Sequence, residues 1–374
     1  MKVVHIISGL QQGGAESALF RLLTYSPTPD IKHIIVSLTG TDVYGPRFEA
    51  KGIQVFTLEM PRRRITLKGL RRLWIIIRRQ KPDVVQTWMY HSDLIGGIIS
   101  RLAGVQRIVW GVVHFNLGKD VTPLSTRFVA RLCALVSSFI PHIIISCSEK
   151  AIDVHRRIGY SNKFRYIPLG FDMNELVLNP ASREAVRKKW QFTSQDVIIG
   201  CVARWDPQKD HKNLVRAFAF ITNQYPGVKC VLIGPHMNPE NEELMQMVHE
   251  QYGKGDDLIL SGIADSIPSA MNALDLHILP SLGEAFPNVV AEAMGCGTPC
   301  VVTDVGDASI IVKNTGWVVP PGNSMALASA IETALELLKD NAAWQLRKKA
   351  CRERVLRNYS MEKMTESYIH AWRN

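Results

Sequence analysis

Two glutamates, Glu284 and Glu292, bracket seven residues in the stretch from Gly283 to Gly295. Paired acids can grip hydroxyl groups, and what lies between them decides which ligand they suit. Pro287 fits a first helical position, where a missing N–H costs nothing and φ is already set, so the spacing predicts a helix from near Phe286. Backbone donors at such a start, on Ala285, Phe286, Asn288 and Val289, have no intrahelical partner and can face a hydroxylated or anionic ligand. Counted along the helix, Glu292 stands roughly 80° round from Glu284 and about 12 Å further along the axis. That spacing suits hydroxyls at both ends of a ligand with phosphate between them, as in a nucleotide sugar. For the acids alone, two solvated side chains on an amphipathic helix is the plainer alternative.

A second pair is cationic. Arg204 ends an apolar run, Asp196 to Arg204, and Lys209 follows five residues later across Pro207. A planar guanidinium fork and a compact ammonium are the usual tools of phosphate recognition, and this pair can clamp a diphosphate from two sides. Near the start of the chain, Val3 to Ser8 reads as a buried strand running through Gly13-Gly14 into a helix. Such a loop lets backbone amides approach a phosphate, although the G-x-G-x-x-G spacing of a dinucleotide site is absent. His114 closes another strand-like run, Arg107 to His114. No Asp-x-Asp metal motif occurs.

The elements that must position these residues alternate. Val- and Ile-rich runs at 32–38, 53–58, 83–87, 107–114 and 142–147 are separated by helical patterns, and the same alternation restarts at Asp196. Unbroken apolar strands joined by helices predict an α/β protein with doubly wound parallel sheets, its chemistry gathered where strands end and helices begin. A chain of 374 residues suits two domains rather than one. We place the boundaries at 1–170, 171–357 and 358–374, the last a terminal helix returning to the first domain.

Bulk composition narrows the class. Hydrophobic content of 46% with 21% charged residues marks a soluble globular chain. The longest apolar run, 132–145, is interrupted by Ser137, Ser138, Pro141 and His142 and is too short to span a bilayer. No secretory signal is readable, and seven scattered cysteines fit reduced core positions, so a cytoplasmic setting is expected. The net charge of +10 is concentrated in the first half. Basic residues from Arg62 to Lys81 are interleaved with Leu67, Leu70, Leu73, Trp74 and Ile77, which fall on one helical stripe expected to face the core. The charge points to an anionic membrane surface or a phosphate-bearing lipid-linked acceptor. No nucleic-acid signature accompanies it.

Taken together, the Glu284–Glu292 stretch, the Arg204/Lys209 pair, Gly13-Gly14-Ala15-Glu16 and the 164–172 link resemble the family 4 glycosyltransferases, retaining enzymes that build surface glycans. The resemblance implies the GT-B fold, two Rossmann-like domains facing across a cleft, with the acceptor on the first domain and the nucleotide-sugar donor on the second. It implies that Arg204 and Lys209 hold the donor diphosphate and that the Gly13/Gly14 loop meets it. Glu284 and the amides of Ala285 to Val289 would hold the sugar, Glu292 the ribose, and Ile263 would lie against the base. His114 would stand near the transferred sugar. The expected reaction is metal-independent and needs no cofactor, moving a sugar from a donor expected to be UDP-linked to a glycan or polyprenyl-diphosphate acceptor. Two departures stand out: Trp88 replaces a usual polar residue, and Gly306-Asp307 replaces a Gly-Gly pair. A nucleotide-sugar epimerase, or a scaffold that binds the donor without turnover, is the alternative.

Overall fold

A computed structural model describes residues 1–25, 30–61, 64–112, 122–253 and 255–374. Two compact units divide the chain, Met1–Gly170 with Met361–Asn374, and Phe171–Ser360.

The first unit runs β1 (Lys2–Ile7), α1 (Gly14–Thr24), β2 (Lys32–Ser37), α2 (Tyr44–Ala50), β3 (Gln54–Thr57), α3 (Leu67–Gln80), β4 (Val84–Trp88), α4 (Tyr90–Leu102), β5 (Arg107–Val112), α5 (Leu124–Val136), β6 (Ile143–Ser146), α6 (Glu149–Arg157) and β7 (Phe164–Tyr166). Its strands form one parallel sheet in the order β3-β2-β1-β4-β5-β6-β7. Val4, Ile34, Val85, Ile108 and Ile144 are fully buried, as expected for strands covered on both faces. The order reverses between β1 and β4, which opens a crevice at their carboxyl ends.

Trp88, at the end of β4, does not line that crevice. It is buried, stacks on Tyr368 at 5.8 Å and points its indole N–H toward His5 Nδ1 at 3.4 Å. Tyr368 and Trp372, one turn apart on the terminal helix Met361–Arg373, fasten that helix to the unit; Trp372 donates to Gln86 Oε1 at 3.1 Å. The Trp88 indole supplies an apolar seat for the returning helix.

The basic helix α3 is also oriented differently from the expected stripe. Gly69, Leu73, Ile76 and Ile77 face the core, whereas Leu67 and Trp74 are exposed. At 100° per residue those two lie together about 100° or more from the centre of the buried arc, so the apolar pattern overstates the core face.

The second unit contains α7 (Pro180–Lys189), β8 (Val197–Val202), α8 (His211–Thr222), β9 (Val228–Ile233), α9 (Glu242–Gln251), β10 (Leu258–Gly262), α10 (Ile267–Ala273), β11 (Leu276–Leu279), α11 (Asn288–Gly295), β12 (Cys300–Thr303), α12 (Ala308–Val312), β13 (Trp317–Val319), α13 (Ser324–Lys339) and α14 (Asn341–Asn358). Its parallel sheet has the order β10-β9-β8-β11-β12-β13. The reversal lies between β8 and β11. These neighbours are far apart in sequence, and their amino ends are locked by Asp275, which accepts the Ile198 N–H at 2.8 Å and takes Arg187 at 2.7 Å and Arg183 at 2.5 Å. The loops leaving their carboxyl ends must therefore emerge side by side.

Candidate active site

The loop after β8 carries Arg204 and Lys209 on a short, over-determined turn. Asp206 caps a single 3₁₀ turn, Pro207–Lys209, by accepting the Gln208 N–H at 2.9 Å. Asp210, in the left-handed region with φ 46°, then caps α8 by accepting the Asn213 N–H at 3.3 Å. Arg204 is 64% exposed, and its Nε and Nη2 both donate to Asp206 Oδ2, at 3.0 and 2.7 Å. Burial raises the Asp206 carboxyl, but the Gln208 N–H and the Arg204 guanidinium outweigh it and hold the group below its usual range. Beneath the turn, His211 Nε2 donates to the Arg204 carbonyl at 3.1 Å, and Trp205 stacks on the His211 ring at 5.5 Å. Burial lowers the His211 pKa to about 4, so the ring is neutral and fixed as a donor through Nε2.

The loop after β11 meets this turn. The Leu282 N–H donates to the Gln208 carbonyl at 2.8 Å, sewing the two loops together by their backbones. Across that seam Lys209 Nζ donates to Glu284 Oε1 at 2.5 Å, and Ser281 Oγ donates to the same oxygen at 2.9 Å. The ammonium and carboxylate side chains are only 19% and 13% exposed, so each needs the other to offset its lost hydration. Thr303, at the end of β12, donates to the Ser281 carbonyl at 2.6 Å. Gly306, at φ 47°, lies against the Glu284 and Ala285 carbonyls where a Cβ would collide, and the Asp307 N–H donates to Ala285 at 3.0 Å. Gly306 is therefore required by close backbone approach, and its successor need not be glycine.

Helix α11 starts later than the sequence suggests. Pro287 is its cap, with ψ 95°, and Asn288 is the first helical residue, so neither Phe286 nor Pro287 is helical. Glu284 stands four residues before the helix, so the 80° relation to Glu292, which assumed one continuous helix, does not apply. The Val290 N–H is taken by the Pro287 carbonyl at 3.1 Å. Asn288 and Val289 are then the helix's outward donors. Phe286 is buried between Phe171 and Tyr359, at 6.3 and 5.6 Å, so its side chain is core and only its backbone can serve a ligand. Glu292 is half-buried on α11. Burial pushes the thiol of Cys296, one turn on, up to about 12, and the Glu292 carboxylate adds to the rise.

Ile263 lies at the same carboxyl edge, two strands out from β8, and follows Gly262 at φ 70°. It is exposed and helps line a cavity of about 280 Å³ with Val186, Trp190, Ser261, Ala264 and Ser269. In the first unit, Gly13 is the extended cap of α1 and Gly14 its first residue; the Glu16 carboxylate lies where a Cβ on Gly13 would be. Burial raises the Glu16 pKa, its own backbone N–H opposes that, and Asp42 adds to it. His114 lies outside the described residues.

Residues 12–175 match the family described as Glycosyltransferase Family 4, and residues 182–350 match Glycosyl transferases group 1. The chain belongs to the family 4 glycosyltransferases. It is similar to the Escherichia coli UDP-Gal:alpha-D-GlcNAc-diphosphoundecaprenol alpha-1,3-galactosyltransferase, 24% identical over 80% of this chain and 77% of that protein. The Staphylococcus aureus capsular polysaccharide biosynthesis glycosyltransferase CapM is 25% identical over 79% and 78%. Among solved structures, Anabaena Alr3699/HepE in complex with UDP aligns with a TM-score of 0.85 over 99% of both chains at 20% identity, which places this glycosyltransferase in the same fold.

Within this glycosyltransferase, then, the loops after β8 and β11 join Lys209 to Glu284, while Arg204, five residues before Lys209, is paired with Asp206. Sequence reasoning passed over Asp206, Ser281 and His211. The Asp-Pro step at 206–207 is a helix-start signature that could have found the first. Nothing local announces the other two, since Ser281 matters through Thr303 and Glu284, and His211 through a carbonyl seven residues earlier.

Proposed function

We propose that this enzyme transfers a sugar from a UDP-sugar to a lipid-linked or glycan acceptor in surface polysaccharide or glycoconjugate synthesis, with retention at the anomeric carbon and without a metal ion. The Lys209–Glu284 pair at the β8/β11 reversal carries the reading. It sets a phosphate-seeking cation against a hydroxyl-seeking acid next to the open amides of α11, the combination a sugar diphosphate requires. The E. coli relative is named for a UDP-Gal donor and a diphosphoundecaprenol acceptor, and HepE has been captured with UDP and with UDP-glucose. These names support the donor and the acceptor class.

In the proposed reaction the acceptor oxygen forms its bond to the anomeric carbon on the face from which the diphosphate departs. The C–O bond to phosphate breaks, and the acceptor's proton passes to the departing phosphate oxygen, so no protein base is needed. Charge grows on the diphosphate as that bond stretches, and Arg204, Lys209 and the N-terminus of α11 are its counter-charges. Glu284 orients the sugar hydroxyls and Glu292 the ribose diol. Gly13, Gly14 and Ile263 complete the donor's surroundings in this scheme, His114 stands by the sugar, and the acceptor meets the first unit.

The test is incubation of purified protein with a panel of UDP-sugars and a short-chain polyprenyl-diphosphate sugar, with proton NMR of the new linkage. An α-linked product from an α-linked donor, formed equally in EDTA, is expected. An inverted product, loss of activity in EDTA, or conversion of the donor in the absence of acceptor overturns the reading, the last in favour of an epimerase.

A further inference from the structure

The charge of this protein is more localised than the contrast between its halves suggests. Residues 60–148 contain 14 Lys and Arg against three Asp and no Glu, a net +11, while the whole chain is +10. The remaining three-quarters of the chain is therefore about neutral, at −1. This segment supplies α3, α4 and α5, and α4 packs against both others. The three helices carry eight of those cations against one acid, Asp93, so this one layer bears a net +7.

The same layer leaves apolar side chains uncovered. On α5, Leu124, Phe128 and Leu135 are 79%, 61% and 72% exposed. With Arg131 they fall within an arc of about 60° at 100° per residue, with Arg127 at its margin. Phe139, just past the end of the helix, is exposed as well. On α3 the exposed Leu67 and Trp74 share a narrow arc with Arg71 and Arg78, and the Arg78 guanidinium lies 5.8 Å over the Trp74 ring. An apolar stripe on an acid-free helix, in one layer with a cationic helix that carries an exposed tryptophan, has the composition of an interfacial surface.

We propose that the α3–α4–α5 layer seats on an anionic lipid bilayer, with the α5 stripe entering the headgroup region and α3 supplying the cations. Charge decides the occupant. A second copy would press two strongly positive faces together, whereas anionic lipid offers both a counter-charge for Arg71, Arg72, Arg78, Arg79 and Lys68 and an apolar phase for Leu124, Phe128 and Leu135. No helix among the described residues is long and apolar enough to cross a membrane, so the contact is a surface one. The surface itself rests on these helices alone. Its use, bringing the active site to a lipid-borne acceptor, rests on the proposed reaction.

The test is co-sedimentation of the full chain with phosphatidylcholine vesicles containing or lacking phosphatidylglycerol, repeated for Phe128→Ser with Leu135→Ser and for Arg71→Gln with Arg78→Gln. Binding is expected only with the anionic lipid, to weaken with salt, and to fall about 30-fold in the arginine pair, about five-fold per cation. The serine pair should lose at least about 10-fold. All four side chains are exposed, and transfer to a water-soluble acceptor should survive in both pairs, reporting an intact fold. Binding that follows these variants upholds the surface even if no transfer is found, in which case the reaction fails instead. Absence of binding to anionic vesicles, or binding indifferent to both pairs, overturns the proposal. So does a self-associating protein made monomeric by the serine pair, which would assign the stripe to a second copy.

Discussion

Replacing Glu284 by glutamine removes one charge from the pair that joins the β8 and β11 loops and leaves Lys209, only 19% exposed, without its counter-charge. Breaking a fully buried ion pair from one side costs about 3–5 kcal/mol. Here both ends keep some solvent, and the carboxamide oxygen can still accept from Ser281 and Lys209, so about 2 kcal/mol is expected. For a unit the size of Phe171–Ser360 that lowers the melting transition by about 4–8 °C. The double variant with Lys209→Met should recover part of the loss, because no charge is then stranded. A double-mutant cycle followed by urea unfolding reads the coupling directly. If the Lys209–Glu284 coupling came out below about 0.5 kcal/mol, the two loops would not be held as described. The structural basis for one joint sugar–phosphate site would go with it.

Three further outcomes follow from the packing. Gly306→Ala forces a Cβ onto the Glu284 and Ala285 carbonyls at φ 47°; it should cost about 2–3 kcal/mol in urea unfolding and also lower activity by displacing Glu284. Trp372→Ala should destabilise the first unit by about 3–5 kcal/mol, since the buried indole packs on His5 and His33 and bonds Gln86, and thermal unfolding would show it. In the second unit, burial lowers the pKa of His211 to about 4 and of His277 to about 3, below the unfolded value near 6.5. The unfolded chain then binds protons that the folded one refuses. The stability these groups contribute is present above about pH 6.5 and falls with decreasing pH towards 4, with the raised carboxyl of Asp210 offsetting part of the loss. The urea midpoint of the second unit should therefore drop between pH 6.5 and 5, above the range in which ordinary carboxylates titrate, and a flat profile there would contradict the assigned neutral histidines.

Both parallel sheets were legible because strands such as Val3 to Ile7 and Val197 to Val202 must be apolar on both faces and so appear as unbroken runs. The cationic turn was legible for a similar reason, since Arg204 and Lys209 flank a proline at the end of a strand. The start of α11 was misplaced because Pro287 satisfies a cap and a first helical position almost equally from local sequence; only ψ, 95° here, distinguishes them. The helical face of α3 was misjudged because Leu67 and Trp74 look like core residues until the helix is docked. Least legible was the Lys209–Glu284 pair. It spans 75 residues and exists only because β11 inserts beside β8, a fact of strand order that no local pattern contains.

UDP affinity and sugar-transfer kinetics, measured side by side for the Arg204→Ala and Glu292→Ala variants, test the donor site most directly. Loss of Glu292 should weaken UDP binding by about 10-fold or more with a smaller change in turnover, and loss of Arg204 should lower turnover by about 100-fold or more with a smaller change in binding. Wild-type affinity and turnover in both variants would contradict the account.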